Sequence, residues 1–149
     1  MFARFPRLQA VYYEHWREWS GWQNVTDRGY QHLFESIQRC NDSLKRLVVF
    51  ENFNQQYPAI AQRFRGEDEY IGLTNFRKPN RAISQMVALA SLKLEHLAAS
   101  FIADASYFLE IHPTWKWPNL TSLVLTSKLL TPHKDPIEIG AMLRVAAAC

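Results

Sequence analysis

The stretch Leu44-Lys-Arg-Leu47-Val-Val49 decides the fold, because its pattern Leu-x-x-(Leu/Val)-x-apolar occurs four times in this chain. Each copy is short and rich in apolar and β-branched residues, which is typical of a β-strand. A phrase that returns along a chain indicates stacked units, none of which can bury its apolar face alone. The other three copies are residues 8–13, 94–99 and 120–125.

A helical pattern follows each predicted strand. The first helix has an N-cap pair, Thr26-Asp27, before apolar residues that return at helical spacing. The others are predicted over residues 79–91, after Asp104, and after Asp135-Pro136. The last helix is expected to bury the stripe Ile139, Met142, Leu143 and Ala146. Strands that alternate with helices predict an α/β fold with parallel strands and right-handed crossovers.

The leading leucines of the four phrases are 36, 50 and 26 residues apart. We therefore expect one domain over residues 1–149, an irregular leucine-rich-repeat-like solenoid of about four β-α units. Residues 52–80 lack an apolar period, so we interpret them as an inserted loop that trypsin would cut first, near Arg63, Arg65 or Arg77. Because neither end carries a capping signal, we expect the domain to be truncated at one or both ends.

The composition is that of an ordinary globular chain, with 48% hydrophobic and 21% charged residues among 149. The formal charge of +3 comes from scattered lysines and arginines, which argues against a dedicated nucleic-acid surface. Only two cysteines, Cys40 and Cys149, are present, so we expect no disulfide framework and a reducing compartment. The chain has neither a signal-peptide pattern nor an apolar run of about 18 residues. These features predict an intracellular protein, cytoplasmic or nuclear, that does not enter a membrane.

Nothing in the order of residues indicates catalysis. The five histidines have no metal-ligand spacing among themselves or with Cys40. Motifs of phosphate loops and serine nucleophiles are also missing from the sequence. We therefore expect no catalytic residue, no metal and no cofactor.

The alternation of side chains along a strand places a second set of residues on the face opposite the predicted core. Across the four strands these residues should form three rows. The middle row, Tyr12, Val48, Ala98 and Val124, is largely apolar. It is expected to be either a contact surface or a surface covered by another part of the protein. The first row is Ala10, Arg46, His96 and Ser122, and the third is Glu14, Phe50, Ser100 and Thr126.

The aromatic run from Tyr12 to Trp22 is the most unusual local feature. Our first interpretation is a lid that closes the first unit, and the alternatives are a protein contact or stacking on nucleobases. Trp117, before the fourth strand, is expected to pack between units. The candidate partner-binding residues are Tyr12, Glu14, Trp16, Trp19, Arg46, Val48, Phe50, His96, Ser122 and Val124.

Two sets of phrases resemble known proteins. The stretch Val25-Thr-Asp-Arg-Gly-Tyr-Gln-His-Leu33, followed by Cys40 and Leu44-x-x-Leu47, is similar to the repeat of F-box-type leucine-rich-repeat proteins. Residues 50–58, 92–104 and 117–127 resemble an uncharacterised family of filamentous-fungal F-box-like proteins. The resemblance implies a leucine-rich-repeat-like C-terminal domain, which in F-box proteins receives the substrate of a ubiquitin ligase. The F-box motif itself is not recognisable in this chain.

The sequence as a whole predicts a non-catalytic protein-protein interaction scaffold. By the resemblance, it would be the substrate-recognition part of an F-box-type protein, with a ubiquitin-ligase substrate as its partner. The alternative is a nucleic-acid-binding module that uses the tryptophan-rich loop 12–22 and the scattered arginines and lysines. The salt dependence of binding distinguishes the two functions, because affinity for nucleic acid falls steeply as the salt concentration rises.

Overall fold

The computed structural model describes residues 5–16, 22–39, 43–52, 77–110 and 115–147. These residues form four strands and four helices that alternate along the chain, as the sequence predicts. Each strand begins two residues after the leading leucine of its phrase. The strands are β1 (Ala10–Trp16), β2 (Arg46–Asn52), β3 (His96–Ser100) and β4 (Ser122–Val124). The helices are α1 (Gln23–Gln38), α2 (Arg81–Ala90), α3 (Ala105–Phe108) and α4 (Pro136–Ala147).

The four strands form one parallel sheet in the order β1-β2-β3-β4. The prediction of a parallel α/β sheet is therefore confirmed. The register aligns the second apolar residue of each phrase across the sheet, as Val11, Leu47, Leu97 and Leu123.

One face of the sheet carries the core. Leu47 and Val49 of β2 are fully buried, and so are Ile83 and Val87 of the helix α2. Odd-numbered residues of β1 and β2 point to this face, because successive side chains of a strand alternate between the two faces. Each helix adds buried residues to the same apolar cluster, among them Phe34, Ile83, Phe108 and Met142.

Adjacent strands are joined in the same way at three successive places. The carbonyl of the residue just before one strand accepts hydrogen bonds from two consecutive N–H groups where the next strand begins. These carbonyls belong to Gln9, Lys45 and Glu95, and their donors are Lys45 and Arg46, Glu95 and His96, and Thr121 and Ser122. The units that carry the repeated phrase therefore also share a hydrogen-bonding pattern.

Two of the predicted helix starts, after Asp104 and at Asp135, are confirmed by their caps, and α2 begins at Arg81, two residues after its predicted start. Asn80 Oδ1 accepts a hydrogen bond from Ile83 N–H at 2.9 Å and so caps α2. The carboxylate of Asp104 caps α3, and that of Asp135 accepts a hydrogen bond from Ile137 N–H at the start of α4. Such caps satisfy N–H groups that have no partner inside the helix.

The predicted start of α1 is wrong. The helix begins at Gln23, and Trp22 occupies the N-cap position without a side-chain hydrogen bond. Asp27 lies inside the helix, and its carboxylate instead accepts hydrogen bonds from Arg77 and Asn80. The carboxylate of Asp27, which the sequence pattern assigns to a local helix cap, therefore pairs with Arg77, which is 50 residues away in sequence.

The predicted core stripe of α4 is only partly correct. Met142 is buried and Ala146 packs against the core, but Leu143 is 55% exposed. Ile137 is 75% exposed on the same helix. The helix therefore contacts the core along a narrower stripe than its apolar sequence suggests.

Candidate functional site

The face of the sheet opposite the core, which we call the open face, carries the predicted rows. The pairing Ala10–Arg46–His96–Ser122 forms the first row, and Tyr12–Val48–Ala98–Val124 the second. Glu14, Phe50 and Ser100 align in the third. Trp16 continues β1 on the same face, while the candidate Trp19 lies outside the described residues. The structure thus brings the other nine candidate residues together on one surface.

The open face exposes aromatic and aliphatic side chains from one sheet edge to the other. Tyr12 is 66% exposed, Trp16 58% and Val124 50%. Between them, Val48 and Phe50 are partly exposed. The row is therefore exposed in the described part of the chain, and because residues 53–76 lie outside that part, both expectations for the row remain predictions.

Phe101 adds an aromatic side chain to the open face that the sequence analysis missed. Its backbone is left-handed, with φ of 64°, and its ring lies 5.8 Å from that of Phe50 in an edge-to-face arrangement. Thr126 Oγ1 accepts a hydrogen bond from Phe101 N–H at 2.9 Å and holds this turn. The left-handed conformation costs a bulky residue on the order of 1–2 kcal/mol. The backbone is therefore strained at Phe101, whose ring is partly exposed to solvent. No sequence pattern signals a left-handed phenylalanine.

Polar residues border the open face. Asn52 Nδ2 donates a hydrogen bond to Glu14 Oε1 at 2.5 Å at one side of the face. At the opposite side, Lys45 and Glu95 form an exposed ion pair at 2.7 Å just before their strands. The hydrogen bond from Lys45 lowers the pKa of the Glu95 carboxyl below its ordinary value. An apolar centre with a polar rim is the usual composition of a protein-binding surface.

A buried ionic cluster lies on the core side, centred on Arg77. The Arg77 side chain is completely buried, and its Nη1 donates to Glu51 Oε1 at 2.7 Å. Its Nε donates to Asp27 Oδ1 at 2.7 Å, which joins α1 to the segment before α2. The buried Arg77 side chain makes a cut at this residue unfavourable in the folded protein, while the other two predicted cleavage sites, Arg63 and Arg65, lie outside the described residues. The rest of the predicted loop, residues 53–76, lies outside the described residues.

Tyr30 completes this cluster. Its hydroxyl donates a hydrogen bond to Glu51 Oε1 at 2.9 Å, and the Arg77 guanidinium lies 4.8 Å from the centre of its ring. Burial, and then the charge of Glu51, raise the pKa of the Tyr30 hydroxyl far above its ordinary value. The hydroxyl therefore stays protonated and serves as a donor. The cluster is sealed from solvent at Glu51 and Arg77, so its contacts support a structural role.

A second buried carboxylate, Asp104, ties α3 to the segment after β4. Its oxygens accept hydrogen bonds from Ser106 N–H at 2.9 Å, Ser127 Oγ at 3.1 Å and Lys128 N–H at 2.9 Å. Burial opposes ionisation of this group, but the hydrogen bonds outweigh burial and hold the pKa of Asp104 below its ordinary value. Asp104 is thus an ionised anchor near neutral pH.

The substitution Asp104→Asn tests this anchor. Asparagine keeps the shape but lacks the charge, and its amide nitrogen cannot accept a hydrogen bond, so a loss of about 1.5–3 kcal/mol of unfolding free energy is expected near pH ~7. Because the folded pKa is lowered, the stabilisation is present above the ordinary aspartate value of about 4 and is lost as pH falls below it. Denaturation curves of both proteins should therefore converge in acid. A stability difference that does not change with pH would contradict this account.

Trp16 and Trp22 of the aromatic run are exposed, whereas Trp117, before β4, is buried. Trp16 and Trp22 are 58% and 62% exposed, and the loop between them, residues 17–21, lies outside the described residues, so the lid interpretation stays a prediction. Trp117, in contrast, is buried as predicted, with Nε1 donating to Ser91 Oγ at 2.8 Å and its ring stacked on that of Phe108. The exposed tryptophans remain candidates for contact with a partner.

The described residues contain no group of three or more His, Cys, Asp or Glu side chains placed to hold a metal ion. Within the same part of the chain, no helix combines the length and apolar character needed to cross a bilayer.

A comparison with models of known protein families gives a match over most of the chain. The family model of DUF6546, a family of unknown function, matches residues 39–149, which includes β2 through α4. The matched range contains Glu51, Arg77 and Asp104, and on the open face it runs from Arg46 to Val124. No curated protein and no solved structure matches the chain.

Proposed function

We propose that this chain, which belongs to DUF6546, a family of unknown function, is a non-catalytic scaffold that binds another protein through its open face. The observation that carries the proposal is the exposed middle row, Tyr12 to Val124, which crosses the whole sheet. Contiguous exposed apolar surface is uncommon on soluble proteins unless it binds something. Aromatic side chains beside this row, such as Phe50 and Phe101, are of the type that dominates binding energy at interfaces.

The strain at Phe101 supports the same surface. A glycine at this position would adopt the left-handed backbone without cost, but it would remove the ring that contacts Phe50. Strain that persists beside an exposed aromatic pair is characteristic of functional positions. We therefore include Phe101 among the residues that contact the partner.

The proposal also includes the type of α/β fold, a leucine-rich-repeat-like solenoid. The repeated hydrogen-bonding pattern at the starts of β2, β3 and β4 supports a leucine-rich-repeat-like solenoid with irregular units. The resemblance to F-box-type proteins supports a role as the part that receives a ubiquitin-ligase substrate. An intracellular location, cytoplasmic or nuclear, belongs to the same proposal and rests on the low cysteine content.

The alternative, a nucleic-acid-binding module, is favoured by one observation. Exposed Tyr12 and Trp16 share the open face with Arg46, and this combination could stack bases and contact a phosphate. A single-stranded oligonucleotide added to the purified protein distinguishes the two functions. Tryptophan quenching that weakens steeply with salt would support nucleic-acid binding, and no quenching at low salt would eliminate it.

Site-specific photo-crosslinking tests the proposed function in cells that express the protein naturally. A photoreactive phenylalanine in place of Tyr12 is expected to form an adduct with a defined partner protein. Val124→Asp should abolish the adduct by placing a charge in the apolar row. Leu143→Asp is the matched control, since Leu143 and Val124 are similarly exposed, at 55% and 50%. An adduct that survives Val124→Asp as well as it survives Leu143→Asp would overturn the assignment of the open face.

A further inference from the structure

The segment between β4 and α4 contains an exposed turn with the sequence Thr131-Pro132-His133-Lys134. Lys134 N–H donates a hydrogen bond to Thr131 C=O at 3.1 Å, which closes the turn. Every residue from 130 to 138 is exposed, and Leu130, just before the turn, is 57% exposed. The Thr131 hydroxyl therefore belongs to a continuous exposed run of the chain.

Contacts with the fold hold the chain on both sides of this turn. Before the turn, Lys128 N–H donates to the Asp104 carboxylate at 2.9 Å, and Leu129 packs against the core. After it, the Asp135 carboxylate accepts a hydrogen bond from Ile137 N–H at 2.8 Å, where α4 begins. Since residues 130–138 contribute no buried side chain, the turn can open locally at little cost to the core.

The turn combines a hydroxyl, a proline and a cation at fixed spacing. Thr131 is the only serine or threonine in the sequence that is followed directly by proline. Proline has no N–H group, so an apolar pocket of a partner enzyme can hold Pro132 without leaving a donor unsatisfied. Lys134, three residues after Thr131, adds an exposed cation. These three features at this spacing are the ones that proline-directed protein kinases recognise in their substrates.

We propose that Thr131 is a phosphorylation site, modified by a proline-directed protein kinase that uses Mg²⁺-ATP. In this reaction Thr131 Oγ1 forms a bond to the γ-phosphorus of ATP, and the bond from that phosphorus to the bridging oxygen breaks. ADP leaves with the electron pair, and the hydroxyl proton passes to a carboxylate of the kinase. Pro132 would occupy the apolar pocket beside the acceptor, and Lys134 would pair with an anionic group of the kinase.

The phosphate would change the charge of this surface without entering the core. Residues 128–138 carry four formal charges that cancel, namely those of Lys128, Lys134, Asp135 and Glu138. A phosphothreonine adds a charge of about −1.5 to −2 near neutral pH. Because Thr131 is exposed, that charge stays hydrated, and the folded structure should persist after the modification.

The site is distinct from the open face. The inference rests on the intracellular location that is part of the proposed function, because ATP-dependent protein kinases act inside cells, and it does not depend on a protein partner of the open face. Val124→Asp, which disrupts the open face, should leave the rate of phosphorylation unchanged. The two proposals can therefore fail independently.

Incubation of the purified chain with a cyclin-dependent kinase and Mg²⁺-ATP tests the chemistry of the site. The expected product carries one phosphoryl group, which peptide fragmentation in a mass spectrometer assigns to Thr131. Pro132→Ala introduces an N–H that the apolar pocket leaves unsatisfied, so it should slow the reaction about tenfold to hundredfold. Lys134→Ala removes one exposed ion pair with the kinase and should slow it about fivefold. Thr131→Ser keeps the acceptor hydroxyl and should still be phosphorylated.

Thr121 provides the matched control. It is also exposed, but serine follows it, and its Oγ1 donates a hydrogen bond to Glu95 C=O at 3.0 Å. Thr121→Ala should leave phosphate incorporation unchanged, whereas Thr131→Ala should abolish it. A synthetic peptide of residues 126–138 measures the reaction without the fold. The folded chain should react at no less than about a tenth of the rate of the peptide, because the turn opens at little cost. Circular dichroism shows whether each variant is folded.

Protein isolated from cells that express it naturally, in the presence of phosphatase inhibitors, gives the second test. Its peptide containing Thr131 is expected to carry phosphate, and treatment of the cells with an inhibitor of proline-directed kinases should remove it. Three results would overturn the site. One is a folded chain that stays unmodified while the synthetic peptide reacts, and another is an equal rate for the original protein and Pro132→Ala. The third is a Thr131 peptide that is found in cells only without phosphate.

Discussion

Replacing Arg77 with methionine is expected to lower the free energy of unfolding by about 3–5 kcal/mol, because it removes the cation from a buried ion pair and leaves Glu51 charged in the core. Arg77 and Glu51 are both completely buried, with 2.7 Å between Nη1 and Oε1. Methionine keeps the apolar stem but carries no charge, so the loss combines the broken ion pairs with the volume that the guanidinium leaves empty. Urea denaturation followed by circular dichroism at neutral pH measures the effect.

Two further variants serve as controls for the Arg77→Met measurement. The double substitution Arg77→Met with Glu51→Leu should recover much of the loss, since apolar replacement of a whole buried pair is often neutral or better. Arg39→Met breaks an exposed pair with Glu35 at 3.8 Å and should cost less than about 1 kcal/mol. If Arg77→Met costs no more than Arg39→Met, the cluster does not hold α1, β2 and the start of α2 together.

Leu97→Ala is expected to cost about 2–5 kcal/mol, as large-to-small changes in packed cores do. Leu97 is 1% exposed and lies between Leu47 and Leu123 in the register. Leu47→Ala should cost a similar amount, since Leu47 is fully buried.

Leu123 provides the matched control. The sequence predicts it as an equally buried counterpart of Leu97, but the structure shows it only partly buried, in the short strand at the sheet edge. Leu123→Ala should therefore cost clearly less than Leu97→Ala in the same denaturation measurement. A loss below about 1 kcal/mol at both Leu47 and Leu97 would contradict the assignment of the repeated phrase to the core.

The repeated phrase made the sheet predictable. A side-chain period of two fixes which residues share a face, and aligning the four phrases fixes the register, so the rows of the open face follow from sequence alone. The caps Asp104 and Asp135 were predictable for a similar reason, since a cap is a local interaction between residues close in sequence.

The Arg77 cluster could not be predicted in this way. Its members Tyr30, Glu51 and Arg77 are 21 and 26 residues apart, and Arg77 stands at the end of a stretch with the composition of a polar loop. Burial of such a charge depends on which carboxylates the fold brings near it, and periodicity carries no information on that.

The strand order has a consequence for the kind of ligand to look for. In open α/β sheets, small molecules bind where the order of strands reverses and two adjacent crossovers leave on opposite sides, which opens a crevice. The sheet described here runs in chain order without a reversal, so its neighbouring crossovers leave no such crevice between them. Under the proposed function, binding partners instead contact the flat open face of the sheet. A library of folded domains and peptides is accordingly a better first screen for this protein than a library of metabolites.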